Sequence, residues 1–198
     1  MTKPITDIDK FASDAAFDSL YSLRAQQLSA IHWTPLQTVK KAALHLTGGS
    51  GKRILDIGSG VGKFCIIAAH YFPAYDFYGV EQRKALIDEA IIAQNATGVS
   101  NAKFIHDNFT ALDPDDYDHF YFYNSFSENI YHYKPIDNLV NSSVEIYQDY
   151  IHHFHQLLEA KPQGTRLATF HCQPNEVPPG YKRIQHITGE DLKLWIKQ

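Results

Sequence analysis

The tract Asp56-Ile57-Gly58-Ser59-Gly60-Val61-Gly62 places a carboxylate ahead of three glycines at alternate positions. Glycines in that pattern let a backbone turn sharply and pass close to a bound molecule. The short apolar run before them, Ile54, Leu55 and Ile57, reads as a buried strand. Phe64, Ile67 and Ala68 follow at helical spacing, so the loop opens into a helix N-terminus whose unpaired N–H groups point at a ligand. The chemistry on offer is the grip on a nucleoside-like cofactor.

Strand, glycine loop and helix also form the dinucleotide site of dehydrogenases, and a glycine pattern alone does not choose between cofactors. The dehydrogenase fingerprint wants Gly or Ala three residues after its second glycine; counted from Gly60, that position is Lys63. Asp56 is the second objection, because a carboxylate at the strand end repels a pyrophosphate. It favours a ligand with an ammonium group. S-adenosylmethionine has one, carries a sulfonium as well, and has no phosphate. At this point the residues resemble motif I of class I methyltransferases, acid-x-Gly-x-Gly-x-Gly. A nicotinamide-dependent oxidoreductase and a non-catalytic S-adenosylmethionine-binding protein are the alternatives in other classes.

The elements that follow arrive where this reading needs them. Tyr75-Asp76-Phe77-Tyr78-Gly79-Val80-Glu81 is a second strand, and its terminal acid lies roughly 20 residues beyond the glycines, where a carboxylate accepts hydrogen bonds from a ribose diol. A third strand, Ala102 to His106, runs into Asp107-Asn108-Phe109. Asp107 there resembles the class I residue that hydrogen-bonds the adenine amino group, with Phe109 against the ring. Taken singly, Glu81 could be a solvated strand-end charge and Asp107 the N-cap of a short turn. Three acids at three successive strand ends on the carboxyl edge of a parallel sheet point jointly to a ligand. The cofactor set is therefore Thr34, Asp56, Gly58, Ser59, Gly60, Val61, Gly62, Glu81, Gln82, Asp107, Asn108, Phe109 and Asn124. Thr34, in His32-Trp33-Thr34-Pro35, either closes over the methionine end of the cofactor or caps the following helix.

A fourth strand, Asp118 to Tyr123, is apolar on both faces, as a central parallel strand is. Its end, Asn124-Ser125-Phe126-Ser127-Glu128, falls beside the transferable methyl group, since ligands of open α/β sheets sit beyond the carboxyl ends of the strands. Asn124, Ser125 and Phe126 are the candidate catalytic residues. Methyl transfer is an in-line displacement, so the protein's tasks are to position the acceptor and, where required, to take its proton. Tyr123, Phe126, Tyr131 and Tyr133 could wall the site and favour a sulfonium by cation–π attraction of about 0.5–2 kcal/mol each. The tract lacks the two prolines of the Asn/Asp-Pro-Pro-aromatic motif of nucleobase amino methyltransferases. Together with Asp56 to Gly62, Tyr78 to Glu81 and Asp107 to Phe109, the run Tyr123-Asn124-Ser125-Phe126 is similar to the non-SET histone lysine methyltransferases of the disruptor-of-telomeric-silencing type. Their tract is Asn-Asn-Phe, so Asn124 and Phe126 match and Ser125 departs.

The remaining chain fits an α/β, Rossmann-like class I methyltransferase fold. Such a fold is a seven-stranded, mostly parallel sheet in three α/β/α layers with an antiparallel C-terminal edge hairpin. A loose helical pattern spans Asp7 to Ala30, and a second helix begins after Thr34-Pro35, both covering the sheet from the N-terminal side. Helices follow at Arg83 to Ala96 and at Asn138 to Ala160, with a fifth strand at Thr165 to Phe170. Two last strands, Tyr181 to Ile187 and Leu192 to Ile196, are joined closely and must be antiparallel. With 198 residues and 44% hydrophobic content the chain reads as one methyltransferase domain, residues 1–198, with residues 1–50 a helical cover and 51–198 the cofactor-binding core.

The formal charge of −4 argues against a nucleic-acid partner. Neither a secretory leader nor an apolar run near 18 residues is present, and Cys65 and Cys172 lack metal-ligand spacing, so a cytoplasmic setting without a membrane partner is expected. His152, His153 and His155 splay over different faces of a helix and read as a solvated surface, with no metal expected. The acceptor substrate and the oligomeric state are not legible.

Overall fold

The computed structural model describes residues 9–27, 29–129 and 140–198. Seven strands form one sheet: β1 (Arg53–Ile57), β2 (Asp76–Glu81), β3 (Ala102–His106), β4 (His119–Phe122), β5 (Arg166–Phe170), β6 (Tyr181–Ile187) and β7 (Leu192–Lys197). Their order is β3-β2-β1-β4-β5-β7-β6. β1 to β5 are parallel, and β7 runs antiparallel between β5 and β6. The strand order reverses between β1 and β4, which opens a crevice at their carboxyl ends, the usual ligand position in such a sheet.

Alternation along the strands sends side chains to two cores. Ile54, Phe77, Tyr121 and Ala168 join the helical face built by α4 (Leu36–Leu46), α5 (Lys63–Tyr71) and α6 (Lys84–Thr97). Leu55, Ile57, Phe120, Phe122 and Leu167 face the opposite side, where α7 (Val144–Ala160) supplies Phe154, Leu157 and Leu158. The strands at the centre are apolar on both faces because both faces are covered. α6 stops at Gly98, whose left-handed φ of 70° ends the helix with its N–H on the Gln94 carbonyl.

Three sequence expectations change in detail. The N-terminal pattern is three short helices, α1 (Asp14–Asp18), α2 (Leu23–Gln26) and α3 (Ser29–His32). Ser13 and Ser22 each accept a backbone N–H and restart the chain, so serine capping overrides the loose apolar periodicity. α7 begins at Val144 behind the Ser143 cap, later than the expected start at Asn138, which itself lies outside the described residues. β4 begins at His119, because the Asp118 carboxylate turns aside to accept the N–H groups of Lys52 and Arg53. Among the described residues no helix is long and apolar enough to cross a membrane.

Candidate functional site

The glycine loop is fixed before any ligand arrives. Gly58 and Ser59 donate their N–H groups to the Val80 carbonyl at 3.0 and 2.9 Å, which ties the end of β1 to β2. Gly58, Gly60 and Gly62 have φ of 75°, 54° and 74°, left-handed values that side chains resist. Gly60 projects into open space, with no atom within 4 Å of where a Cβ would stand. A Cβ on Gly62 would instead stand 2.4 Å from the Phe104 ring and 2.9 Å from Ala90, so this glycine serves the packing of α5 on its neighbours and lies outside the cavity lining.

A cavity of about 350 Å³ opens above this loop, within the range of small-molecule sites. It is lined by every other residue of the expected cofactor set and by Asn124, Ser125 and Phe126. Asp56 is buried beside the Cys65 thiol, whose Sγ lies 3.8 Å from Oδ2. Burial pushes its carboxyl up to about 8, with the nearby Glu81 charge adding to the rise. Glu81 is also buried, which removes the solvated strand-end alternative. Its Oε2 accepts the Gly60 N–H at 3.2 Å and its Oε1 the Arg83 N–H at 2.9 Å. The buried Arg83 guanidinium also stands 3.8 Å from Oε1. Asp107 is exposed at the rim, its Oδ1 accepting the Asn108 N–H at 2.7 Å. Asn108, rather than Asp107, caps the short turn that follows, and its Nδ2 donates to Tyr150 at 2.7 Å.

Aromatic rings make the wall between β3 and β4. Phe109 stacks on Phe126 with centroids 5.0 Å apart, and Tyr150 of α7 meets Phe109 edge-on and Phe126 at a tilt. Tyr131 and Tyr133 lie outside the described residues. Thr34 does not cap α4, whose N-cap is Pro35; its hydroxyl is 2.8 Å from the Tyr121 hydroxyl inside the cavity. Tyr121 lies flat on Phe64 at 3.8 Å, which carries the contact on into α5. Ser125 donates to the Ile57 carbonyl at 2.6 Å, and Asn124 holds a left-handed φ of 39° at the end of β4. The solvated reading of the α7 histidines holds for His152 alone. His153 packs its ring 5.3 Å from Phe109, and the buried His155 Nε2 has no hydrogen-bond partner among the described residues.

Lys63 has a role that its sequence position does not disclose. Its Nζ is buried between Asp14 and Asp18 at 2.6 and 2.7 Å, and the Asp14 Oδ1 also accepts the Leu36 N–H at 2.9 Å. One ammonium thus ties α1 and the start of α4 to the glycine loop. Burial of Asp18 outweighs this pairing and leaves its carboxyl raised. Trp33, Arg83, Tyr150 and His171 also line the cavity. No local motif marks them, and only the packing of α3, α6, α7 and β5 around the crevice brings them together.

The sequence profile described as a methyltransferase domain matches residues 49–183, most of the chain and the site from Asp56 to His171. The chain belongs to the methyltransferase-domain family. It is a class I, S-adenosylmethionine-dependent methyltransferase domain, and the oxidoreductase alternative falls away. A search of curated proteins found no sequence match. Among solved structures, the methyltransferase shares its fold with an RNA methyltransferase from Salinibacter ruber in complex with S-adenosyl-L-homocysteine. That pair has 17% identity over 83% of this chain and 92% of the other, with a TM-score of 0.56. TrmN from Thermus thermophilus matches at 17% identity and a TM-score of 0.60, over 88% of this chain, which spans only 52% of TrmN. A point mutant of MtNAS in complex with S-adenosylmethionine matches at 13% identity and 0.55, over 92% and 74% of the two chains. At these identities the likeness extends to the fold.

Proposed function

We propose that the carboxylates ending β1, β2 and β3 hold the cofactor in three parts. Asp56 takes the ammonium, Glu81 the ribose diol, and Asp107 with Asn108 the adenine edge. Their convergence on one cavity is the observation that carries this reading. Phe109 covers the adenine, Thr34 closes the methionine end, and Gly58, Ser59, Gly60, Val61 and Gln82 shape the floor, with Gly62 supporting the loop from behind. Asn124 aligns the acceptor with the methyl group, Phe126 walls the channel, and Ser125 holds the β4 end against β1.

Burial favours the neutral form of Asp56 so strongly that a nearby cation is what restores its charge. A ligand bearing an ammonium supplies that cation. Asn124 and Phe126 support an amine acceptor of the kind used by non-SET histone lysine methyltransferases, while Ser125 and the chain's charge of −4 weigh against a nucleosome. The acceptor is a protein side chain or a small molecule. We further infer one domain over residues 1–198 in a cytoplasmic setting, where the buried free thiols Cys65 and Cys172 stay reduced. Titration calorimetry tests the site: S-adenosylmethionine and its demethylated product should bind, and NAD should give no heat. Binding of NAD alone would overturn the assignment.

A further inference from the structure

His171 follows directly on β5 and lines the cavity beside Tyr123, with ring centroids 5.7 Å apart. Its φ is 53°, a left-handed value that an ordinary side chain resists. Asp191, in the turn from β6 to β7, has a φ of 51°. The two residues face each other across this strained corner. The His171 N–H donates to the Asp191 carbonyl at 3.3 Å, and the Asp191 carboxylate lies 3.4 Å from Nδ1 of His171. Nδ1 is turned to Asp191, and the half-exposed ring, with Nε2 as its other nitrogen, lines the cavity. A carboxylate behind an imidazole fixes the tautomer with its lone pair forward and stabilises the imidazolium that proton uptake makes.

The surrounding charges keep Asp191 ionised for this task. Lys193 of β7 donates to its Oδ1 at 2.6 Å, and His186 of β6 stands 3.4 Å from the same oxygen. Burial works against the charge, yet the Lys193 bond and charge hold the carboxyl below its usual range. Tyr123, at the end of β4, faces the ring with its hydroxyl pushed up by burial to about 12, so it does not compete as a base near neutrality.

We propose that His171 is the general base for methyl transfer to an acceptor whose nucleophilic atom arrives carrying a proton, a hydroxyl or an amine, with Asp191 as its positioning residue. This rests on the cofactor assignment above. In the step, the acceptor's lone pair forms a bond to the methyl carbon while the carbon–sulfur bond breaks and its pair neutralises the sulfonium. The acceptor's proton passes to Nε2 of His171, and the resulting imidazolium pairs with Asp191 until water removes the proton. A carboxylate acceptor carries no such proton and needs no such residue.

The full chain saturated with S-adenosylmethionine is offered catechol, N-acetyl-lysine methylamide or benzoate, and demethylated cofactor is measured from roughly pH 6 to 9. We expect the hydroxyl or the amine probe to be methylated in preference to benzoate, which also distinguishes the two. His171→Gln should lower that rate by about 100-fold and remove its acid limb. Cofactor affinity should stay within about twofold, and Asp191→Asn should give a partial loss with a shifted limb. Parental rates in His171→Gln, preference for benzoate, or an affinity that falls together with the rate would overturn the proposal. Where the parental protein methylates none of the probes, imidazole nitrogen spectra of the protein with demethylated cofactor decide. A proton on Nδ1 of His171, and a shift of Nε2 on cofactor addition, support the base; a proton on Nε2, or no shift, overturns it. Failure to bind S-adenosylmethionine at all would sink the cofactor assignment instead.

Discussion

Gly58 and Ser125 touch so closely that a Cβ on the glycine would lie 2.5 Å from the serine Oγ. The same Oγ donates to the Ile57 carbonyl at 2.6 Å, so the end of β4 is latched to the start of the glycine loop by one small side chain. Ser125→Asn, which would complete the Asn-Asn-Phe tract, inserts bulk where there is none to spare. We expect it to lower stability by about 1–3 kcal/mol, as overpacking does, and to weaken cofactor binding through the displaced loop. Ser125→Ala should cost only about 1 kcal/mol for the lost hydrogen bond. Denaturant melts of the two variants check the order, and an Asn variant as stable as the parent would show that the loop yields.

Gly60→Val places its side chain in the cavity rather than in the protein. Cofactor affinity should fall by more than about tenfold, with a stability loss near the ~1–2 kcal/mol that a left-handed non-glycine residue costs. Gly62→Ala should do the reverse, because its Cβ strikes Phe104 and Ala90 inside the packing of α5. Calorimetry and melting curves on both variants separate the two roles.

Asp56 makes the empty protein sensitive to pH. Its folded carboxyl is raised to about 8 from 3.8, so the folded state binds the extra proton and the unfolded state does not. The stability associated with this group is full below pH 3.8 and declines as pH rises through 8. Asp56→Asn cannot titrate. It should therefore gain on the parent steadily from pH 5 to pH 8, reaching about 1 kcal/mol or more, roughly 2–4 °C in melting temperature. The same variant should lose affinity for S-adenosylmethionine, whose ammonium would have no carboxylate to meet. A melting difference independent of pH would place the proton elsewhere.

Asn124→Ala should separate binding from turnover. An interaction made mainly in the transition state appears in the rate, so turnover should fall by about 100-fold while cofactor affinity changes little. Equal losses in both would make Asn124 a cofactor contact only.

The cavity lining from the first three strand ends was legible because it is written locally. Strand, loop and acid recur within a few residues at each of the first three strand ends, and short periodicities survive in sequence. The left-handed corners at His171 and Asp191 were not legible, since neither residue is a glycine and their meeting depends on the β6–β7 hairpin folding back on β5. Lys63 illustrates the same limit. Its presence argued against a dinucleotide, but its partners Asp14 and Asp18 lie some 45 to 49 positions earlier in the chain. The N-terminal segment was misread as one helix because the weak apolar rhythm of Phe11, Leu20 and Leu23 conceals two serine caps; Leu23 proves to be exposed.

The placement of β7 between β5 and β6 has a consequence for synthesis. β6 leaves the ribosome before the strand that joins it to the sheet, and it has no pairing of its own with β5. Until Leu192–Lys197 emerges, the edge of β5 stays open and β6 has no partner within the nascent chain. Open strand edges are templates for pairing with other chains. Because Asp191 belongs to the same late segment, the corner that orients His171 closes only when the sheet does, and a nascent chain that already holds the glycine loop and its acids still lacks that corner.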